Sequence, residues 1–334
     1  MVPFSVGGVL RVALVGSLAF AVWRPNNAAA ITAVEANDAH FQSGEHTSSP
    51  ISASIVKIQV LLARRSISPG EIDGVDGENL RKAISEFRRQ QNLPAGEELD
   101  QNTWDALHAD NPDKPVVSDY TITEQDAAYP FVGAIPKDYA AQAKMGKLGF
   151  RNADEMLGEH FHMSEDLLKA LNPNTDFSKP GQHISVVDPF PPSRNGVKAA
   201  HVVADKAHGL VIAYDKADHI IAAYPATIGS DETPSPSGEV SVTRIAKNPT
   251  YEYDPEKNFQ QGHNKSRLTL PPGPNNPVGS VWIGLSRPTY GIHGTPEPSK
   301  VSKTQSHGCV RLTNWDAEEL ASLVRRGTKV RFAD

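Results

Sequence analysis

The stretch "DPFPPSRNG", Asp188 to Gly196, divides the chain into two parts that fold by different rules. Before it, apolar residues recur with a helical period; beyond it, they come in short β-rich runs. Ile51, Ile55, Ile58 and Leu62 are spaced 4-3-4, as one face of a helix requires. "ISPGEIDGVDGEN" then turns the chain, and Leu80, Ile84 and Phe87 mark a second helical face. A short third helix, "QNTWDAL", follows with Asp100 as its N-cap. "IDGVDG" lacks the alternating acidic ligands and distal Glu of a calcium loop, so it reads as a turn.

The segment 117–188 has strand patterns at its ends, "DYTIT" and "KPGQHISVV". Between them lie two short helices, "NADEMLGEHFHM" and "SEDLLKALNPN", the second capped by Ser164 and stopped at Asn172-Pro173. Glu159, His160 and His162 lack the i, i+4 pair of a helical zinc site and are expected to be exposed helix-end residues. After the linker (189–197), "AAHVVAD", "GLVIAYD", "HIIAAYPATIG" and "EVSVTRI" read as strands, followed by "SVWIGL" and "YGIHG". One helix begins at Thr313, whose capping box is completed by Asp316, and stops at Gly327; the strand "KVRF" closes the chain. The expected fold is multidomain α+β: a helical domain (51–110), a β-α-α-β segment with an insertion (117–188), and a mainly β domain with one helix (198–334).

At the amino terminus a lone Arg11 precedes the apolar run "VALVGSLAFAVW", and Ala28, Ala29 and Ala30 follow. That run is too short for a membrane span, which takes roughly 20 residues. It predicts a signal peptide over 1–30 cut after Ala30, with an uncleaved anchor as the alternative. Either way the rest is exported, to the periplasm or cell wall, and the membrane is touched only through an uncleaved segment. Residues 31–50 are polar and aperiodic and are expected to be a flexible lead-in. The net charge of −6 without a long basic run excludes a nucleic-acid partner. Oligomeric state is not fixed by the sequence.

The chain holds one cysteine, Cys309, in "SHGCVRL". A lone cysteine in an oxidising compartment cannot form an internal disulfide. Buried, it would be an inert small hydrophobe. Gly308 beside it favours a nucleophile, because glycine lets backbone amides approach a substrate. A thiol nucleophile needs a base, and two histidines are close in sequence. His307 lies two residues before it, on the same face of an extended segment, and His293 comes from a neighbouring strand. The base in turn needs an orienting group, for which a backbone carbonyl is the natural candidate. A zinc hydrolase using His293, His307 and Cys309 would lack recognisable ligand spacing. No metal or cofactor is expected.

These residues match a known pattern. "YGIHGTPEPSKVSKTQSHGCVRLTNWDAEELASLVRRGTKVRF" resembles the catalytic core of bacterial L,D-transpeptidases, and "GSDETPSPSGEV" and "LPPGPNNPVGSVWIGL" resemble that family upstream. The resemblance implies Cys309 as nucleophile and His293 as its base, steadied by the Gly294 carbonyl. It implies an oxyanion hole of backbone amides at His307, Gly308 and Cys309, with Ser306 and His307 orienting loop and substrate. Arg311 is a candidate to hold the donor's negative charge, and a surface ion pair with Asp316 or Glu318 is its alternative. Tyr290 either lines the pocket or packs in the core. The segment 52–108 resembles a three-helix peptidoglycan-binding domain, and 117–188 a lysin-motif module. The implied partners are peptidoglycan stem peptides and glycan. The implied reaction releases D-alanine from a tetrapeptide stem through a Cys thioester and passes the acyl group to an amine. The alternatives are hydrolysis of the same acyl-enzyme and a wall-binding scaffold without activity. The amino-terminal segments are expected to concentrate substrate without touching the acyl-transfer site.

Overall fold

The computed structural model describes Met1 and residues 31–41, 51–109, 114–191, 196–230, 233–257, 259–306 and 308–334. Residues 2–30 of the expected signal peptide, residues 42–50 of the lead-in and His307 lie outside these residues.

The lead-in differs from its expectation. Residues 31–41 are folded: α1 (Ala33–Asn37) opens on a reciprocal capping box between Thr32 and Glu35, and Ala36 is buried. The "TAVE" signature was legible and outweighs the polar composition. Asn37 Oδ1 accepts from the Val116 and Val117 amides, tying α1 to the segment that follows the helical domain. That domain comprises α2 (Ala53–Arg64), α3 (Glu78–Gln90) and α4 (Gln101–His108). Asp100 caps α4, accepting from Thr103 N at 2.8 Å. The segment beyond runs β1 (Val117–Thr121), α5 (Glu124–Ala127), α6 (Tyr139–Gln142), α7 (Ala153–His160), α8 (Glu165–Leu171) and β2 (His183–Val187), with β1 and β2 antiparallel.

The carboxy-terminal part adds β3 (His201–Asp205), β4 (Leu210–Tyr214), β5 (Ile220–Pro225), β6 (Thr227–Ile228), β7 (Gly238–Lys247), β8 (Tyr251–Tyr253), β9 (Leu268–Leu270), β10 (Val281–Leu285), β11 (Gly291–His293), β12 (Val310–Arg311), α9 (Asn314–Leu323) and β13 (Lys329–Ala333). Nine strands form one sheet in the order β5-β4-β3-β13-β7-β10-β11-β12-β6. Its edge strands β5 and β6 are separated in sequence only by Ala226, so the sheet curls until its edges meet. Strands β8 and β9 form a separate hairpin.

The linker does not isolate the two halves. Strand β4 is apolar on both faces, and alternate residues enter different cores. Val211 and Ala213 face the curled sheet and α9, whereas Leu210 and Ile212 pack with the amino-terminal helices, joined by Ile220 and Ala223 of β5. Backbone bonds from Ser68 N to Ala223 O (2.8 Å) and from Ala223 N to Ser66 O (2.9 Å) extend β5, closing a strand edge that would otherwise invite pairing. The insertion also reaches across: Leu148 packs with Tyr253 and Leu270 of the hairpin, and its amide donates to Pro272 O.

Candidate active site

Parallel pairing of β11 with β12 aligns Ile292 with Val310 and His293 with Arg311. Ile292 and Val310 turn into the core. The alternate positions, His293, Cys309 and Arg311, therefore share the opposite face. There they line a cavity of about 360 Å³ with Tyr139, Tyr251 and Tyr290. Tyr290 is a wall residue of this cavity and only partly buried.

His293 is 4% exposed, and its Nδ1 lies 2.7 Å from Gly294 O. A carbonyl only accepts, so Nδ1 carries the proton and Nε2 keeps a free lone pair. Burial brings the imidazole pKa down to about 4, against the Gly294 hydrogen bond and with the help of Arg311. Trp282 stacks on the ring with centroids 5.5 Å apart. The Cys309 thiol donates to Thr289 O at 3.6 Å. Burial raises its pKa, and the Gly291 backbone and Arg311 oppose that rise. Thiol and imidazole are thus both neutral near pH 7.

The loop before Cys309 is fastened from several sides. Ser306 is buried; its amide donates to Gly229 O, and its hydroxyl donates to Cys309 O at 2.6 Å. Ser235 Oγ donates to Gly308 O at 3.0 Å, and Thr233 Oγ1 to Ser306 O at 3.1 Å. A planar trans peptide then directs the Cys309 N–H away from Ser235. Gly308 has φ +98°, and a Cβ there would lie 2.9 Å from Tyr290. Arg311 donates to Gln305 O at 3.1 Å. The surface ion pair weighed for it is not formed: Asp316 accepts from Ser68 Oγ (3.0 Å), and Glu318 from Ser280 Oγ. Asp316 also departs from the expected capping box. Thr313 Oγ1 accepts from its amide, but its carboxyl faces Ser68, and burial raises that carboxyl's pKa to about 8.

Several contributors were missed by sequence reasoning. Gly291 must be glycine because a Cβ would meet Trp282 at 2.5 Å. Gly294 presses on Asn314, whose Oδ1 would lie 2.1 Å from a Cβ. Asn314 Nδ2 donates to Glu159 at 3.0 Å, so a residue expected at the surface stands behind the His293 support. Burial raises the Glu159 carboxyl to about 8, the Asn314 bond notwithstanding. His162 is not at the surface either: it stacks on Trp315 at 5.1 Å, and burial lowers its pKa to about 3. Only His160 of that trio is exposed. No metal-binding group of three or more His, Cys, Asp or Glu exists among the described residues.

A family model for the L,D-transpeptidase catalytic domain (YkuD) matches residues 199–331, which span both candidate catalytic strands. Those residues are an L,D-transpeptidase catalytic domain. A peptidoglycan-binding domain model matches residues 52–107. A Bacillus licheniformis relative named as the L,D-transpeptidase YkuD is 28% identical over 176 residues, 53% of this chain and 90% of its own length. The Bacillus subtilis relative named as the L,D-transpeptidase YqjB is 34% identical over 116 residues, 33% of this chain and 58% of its own. A solved L,D-transpeptidase from Xylanimonas cellulosilytica is 14% identical, covering 84% of this chain and 92% of that one at a TM-score of 0.36. The transpeptidase domain is thus the curled nine-stranded sheet with α9. Among the described residues, no helix is long and apolar enough to cross a membrane.

Proposed function

We propose that the protein is a peptidoglycan L,D-transpeptidase working through an acyl-Cys309 intermediate. The observation that carries this reading is the His293 Nδ1–Gly294 O contact of 2.7 Å, which leaves Nε2 as a base in the cavity that holds Cys309. His293 Nε2 takes the thiol proton as sulfur attacks the carbonyl between the third residue of a tetrapeptide stem and its D-alanine. The C–S bond forms, the C–N bond breaks, and the imidazolium returns the proton to the departing D-alanine amine. An amine then attacks the thioester: C–N forms, C–S breaks, and His293 relays a proton from the amine to the sulfur. The amides of His307, Gly308 and Cys309 stabilise the oxyanion, and Ser306 and Ser235 hold the loop that presents them. Arg311 and Tyr290 bind the donor. The site of action is where peptidoglycan lies, outside the cytoplasm, with the helical domain holding the wall and the 117–188 segment contacting glycan.

The resting pair is neutral, so proton transfer accompanies attack. His293→Ala is expected to slow acylation by about two to four orders of magnitude, the range for a positioned base. With the imidazole pKa near 4, the base stays unprotonated through neutral pH. kcat/KM should therefore show no fall around pH 6.5 and decline only as pH approaches 4. A break at pH 6.5 that disappears in His293→Ala would contradict this.

Incubation with tetrapeptide alone as donor and acceptor tests the reading. A dimer with a 3→3 bond should appear, with one D-alanine released per bond formed, and excess D-amino acid should divert the acyl group into an exchanged tetrapeptide. Tripeptide monomer as the dominant product under both conditions would make water the acceptor and the enzyme a hydrolase.

A further inference from the structure

A second cavity adjoins the one that holds Cys309. Its volume is about 760 Å³, and it shares Tyr139, Pro277 and Arg311 with the smaller one. Its walls come mainly from the turn after α2, the 117–188 segment and the loop that follows His293, joined by Asn275, Pro277, Arg311 and Trp315.

Most charges in its walls are already satisfied. Arg151 bridges Glu155 and Glu165, Lys300 pairs with Glu297, and Glu159 is held by Asn314. Glu71 is different. It is half-buried and makes no hydrogen bond or ion pair among the described residues; burial foremost, then Asp73, raises its carboxyl to about 7, against the charge of Lys303. Gln142 is the second exception. It is 8% exposed, its amide Nε2 donates to Pro136 O at 2.8 Å, and its carbonyl Oε1 is left without a partner. The Pro136 bond fixes which end of the side chain is which. Both groups can accept from a donor lodged in the cavity, and the buried Gln142 Oε1 calls for one. Of the remaining basic groups, Arg311 serves the donor, and Lys137 suits a carboxylate on the same ligand.

We propose that this cavity binds the acceptor by its amino-acid head, with Glu71 and Gln142 taking the ammonium and Lys137 the carboxylate. The assignment rests on the acyl-transfer reading above. It gives the amino-terminal segments a part in substrate choice, because Glu71 and Gln142 lie outside the transpeptidase domain. Tyr139, Pro277 and Arg311 line both cavities, so an acceptor held in the larger one adjoins the cavity of Cys309. Water gains no such foothold, so the cavity favours transfer over hydrolysis.

The test uses the full chain, with tetrapeptide as donor and a tripeptide stem with a free side-chain amine as acceptor. Glu71→Gln should raise the acceptor KM about tenfold, as loss of one charge-assisted contact predicts, and Glu71→Lys should raise it further. The rate of acyl-enzyme formation, followed by intact mass, should stay within twofold of wild type. Lys137→Glu, at an exposed position with little bearing on folding, should also raise the acceptor KM and decides the matter if the Glu71 variants fail to fold. An unchanged acceptor KM in the variants that fold, or an equal slowing of acylation, would overturn the assignment. Absence of any acyl-enzyme in the wild type would instead sink the underlying acyl-transfer reading.

Discussion

Cys309→Ala is expected to abolish acyl-enzyme formation, and Cys309→Ser to reduce it by at least about three orders of magnitude, on the scale of losing a nucleophile. An alcohol lacks the thiol's acidity, and neutral His293 is too weak a base to compensate. Folding should be preserved, because the Cys309 side chain lines a cavity and is only half-buried. Its melting temperature should therefore stay close to the wild-type value. Intact-mass measurement after incubation with tetrapeptide reads the result directly. Crosslinking retained in either variant would remove Cys309 from the mechanism.

Removal of residues 31–188 is expected to leave a transpeptidase domain that does not fold as a soluble monomer. Four apolar side chains, Leu210, Ile212, Ile220 and Ala223, would lose their cover from the helical domain. At about 1.5–3 kcal/mol for each of the three large aliphatic groups, the loss is about 4.5–9 kcal/mol, comparable with the whole stability of an ordinary domain. The β5 edge would open, and Leu148 would leave the hairpin that flanks the cavity. Glu159 would no longer brace Asn314, and Ser68 would no longer meet the buried Asp316. Soluble yield, sedimentation and thermal melting of residues 197–334 test this. A monomeric fragment that melts cooperatively and turns over soluble muropeptides at the full-length rate would show that the modules are independent after all. That was the expectation from the proline-rich linker, and the packing of β4 and β5 argues against it.

The reason for the difference lies in what each kind of signal measures. The helix starts at Asp100 and Ser164 were legible because a cap is a local hydrogen bond between residues three apart. The "YGIHG" and "SHGCVRL" segments were legible because the chemistry sits in contiguous residues, and the strand period alone places His293 and Cys309 where β11 and β12 can share a face. The unbroken apolar run "GLVIAY" also carried a message that the domain boundary obscured: a strand buried on both faces needs cover on both. Which element supplies that cover is not written locally. Ile67 meets Ala223 across nearly half the chain's length, and Ser68 meets Asp316 across most of it. Neither pair has any sequence spacing that would announce it.

Glu159 states the same contrast at one residue. As part of a polar helix end it read as solvent-facing; packing put it against Asn314, behind the carbonyl that orients His293. Glu71 and Gln142 likewise lie in segments whose own patterns speak only of a turn and an insertion, and they become walls of one cavity because distant parts of the chain converge there. Most of the elements, the candidate reacting groups and the family could be read from the sequence, since these depend on short-range periodicity and on contiguous motifs. Only the tertiary structure decided the tautomer of His293, the burial that sets its pKa and the fusion of the segments into a common core. Those depend on which distant surfaces exclude water from one another.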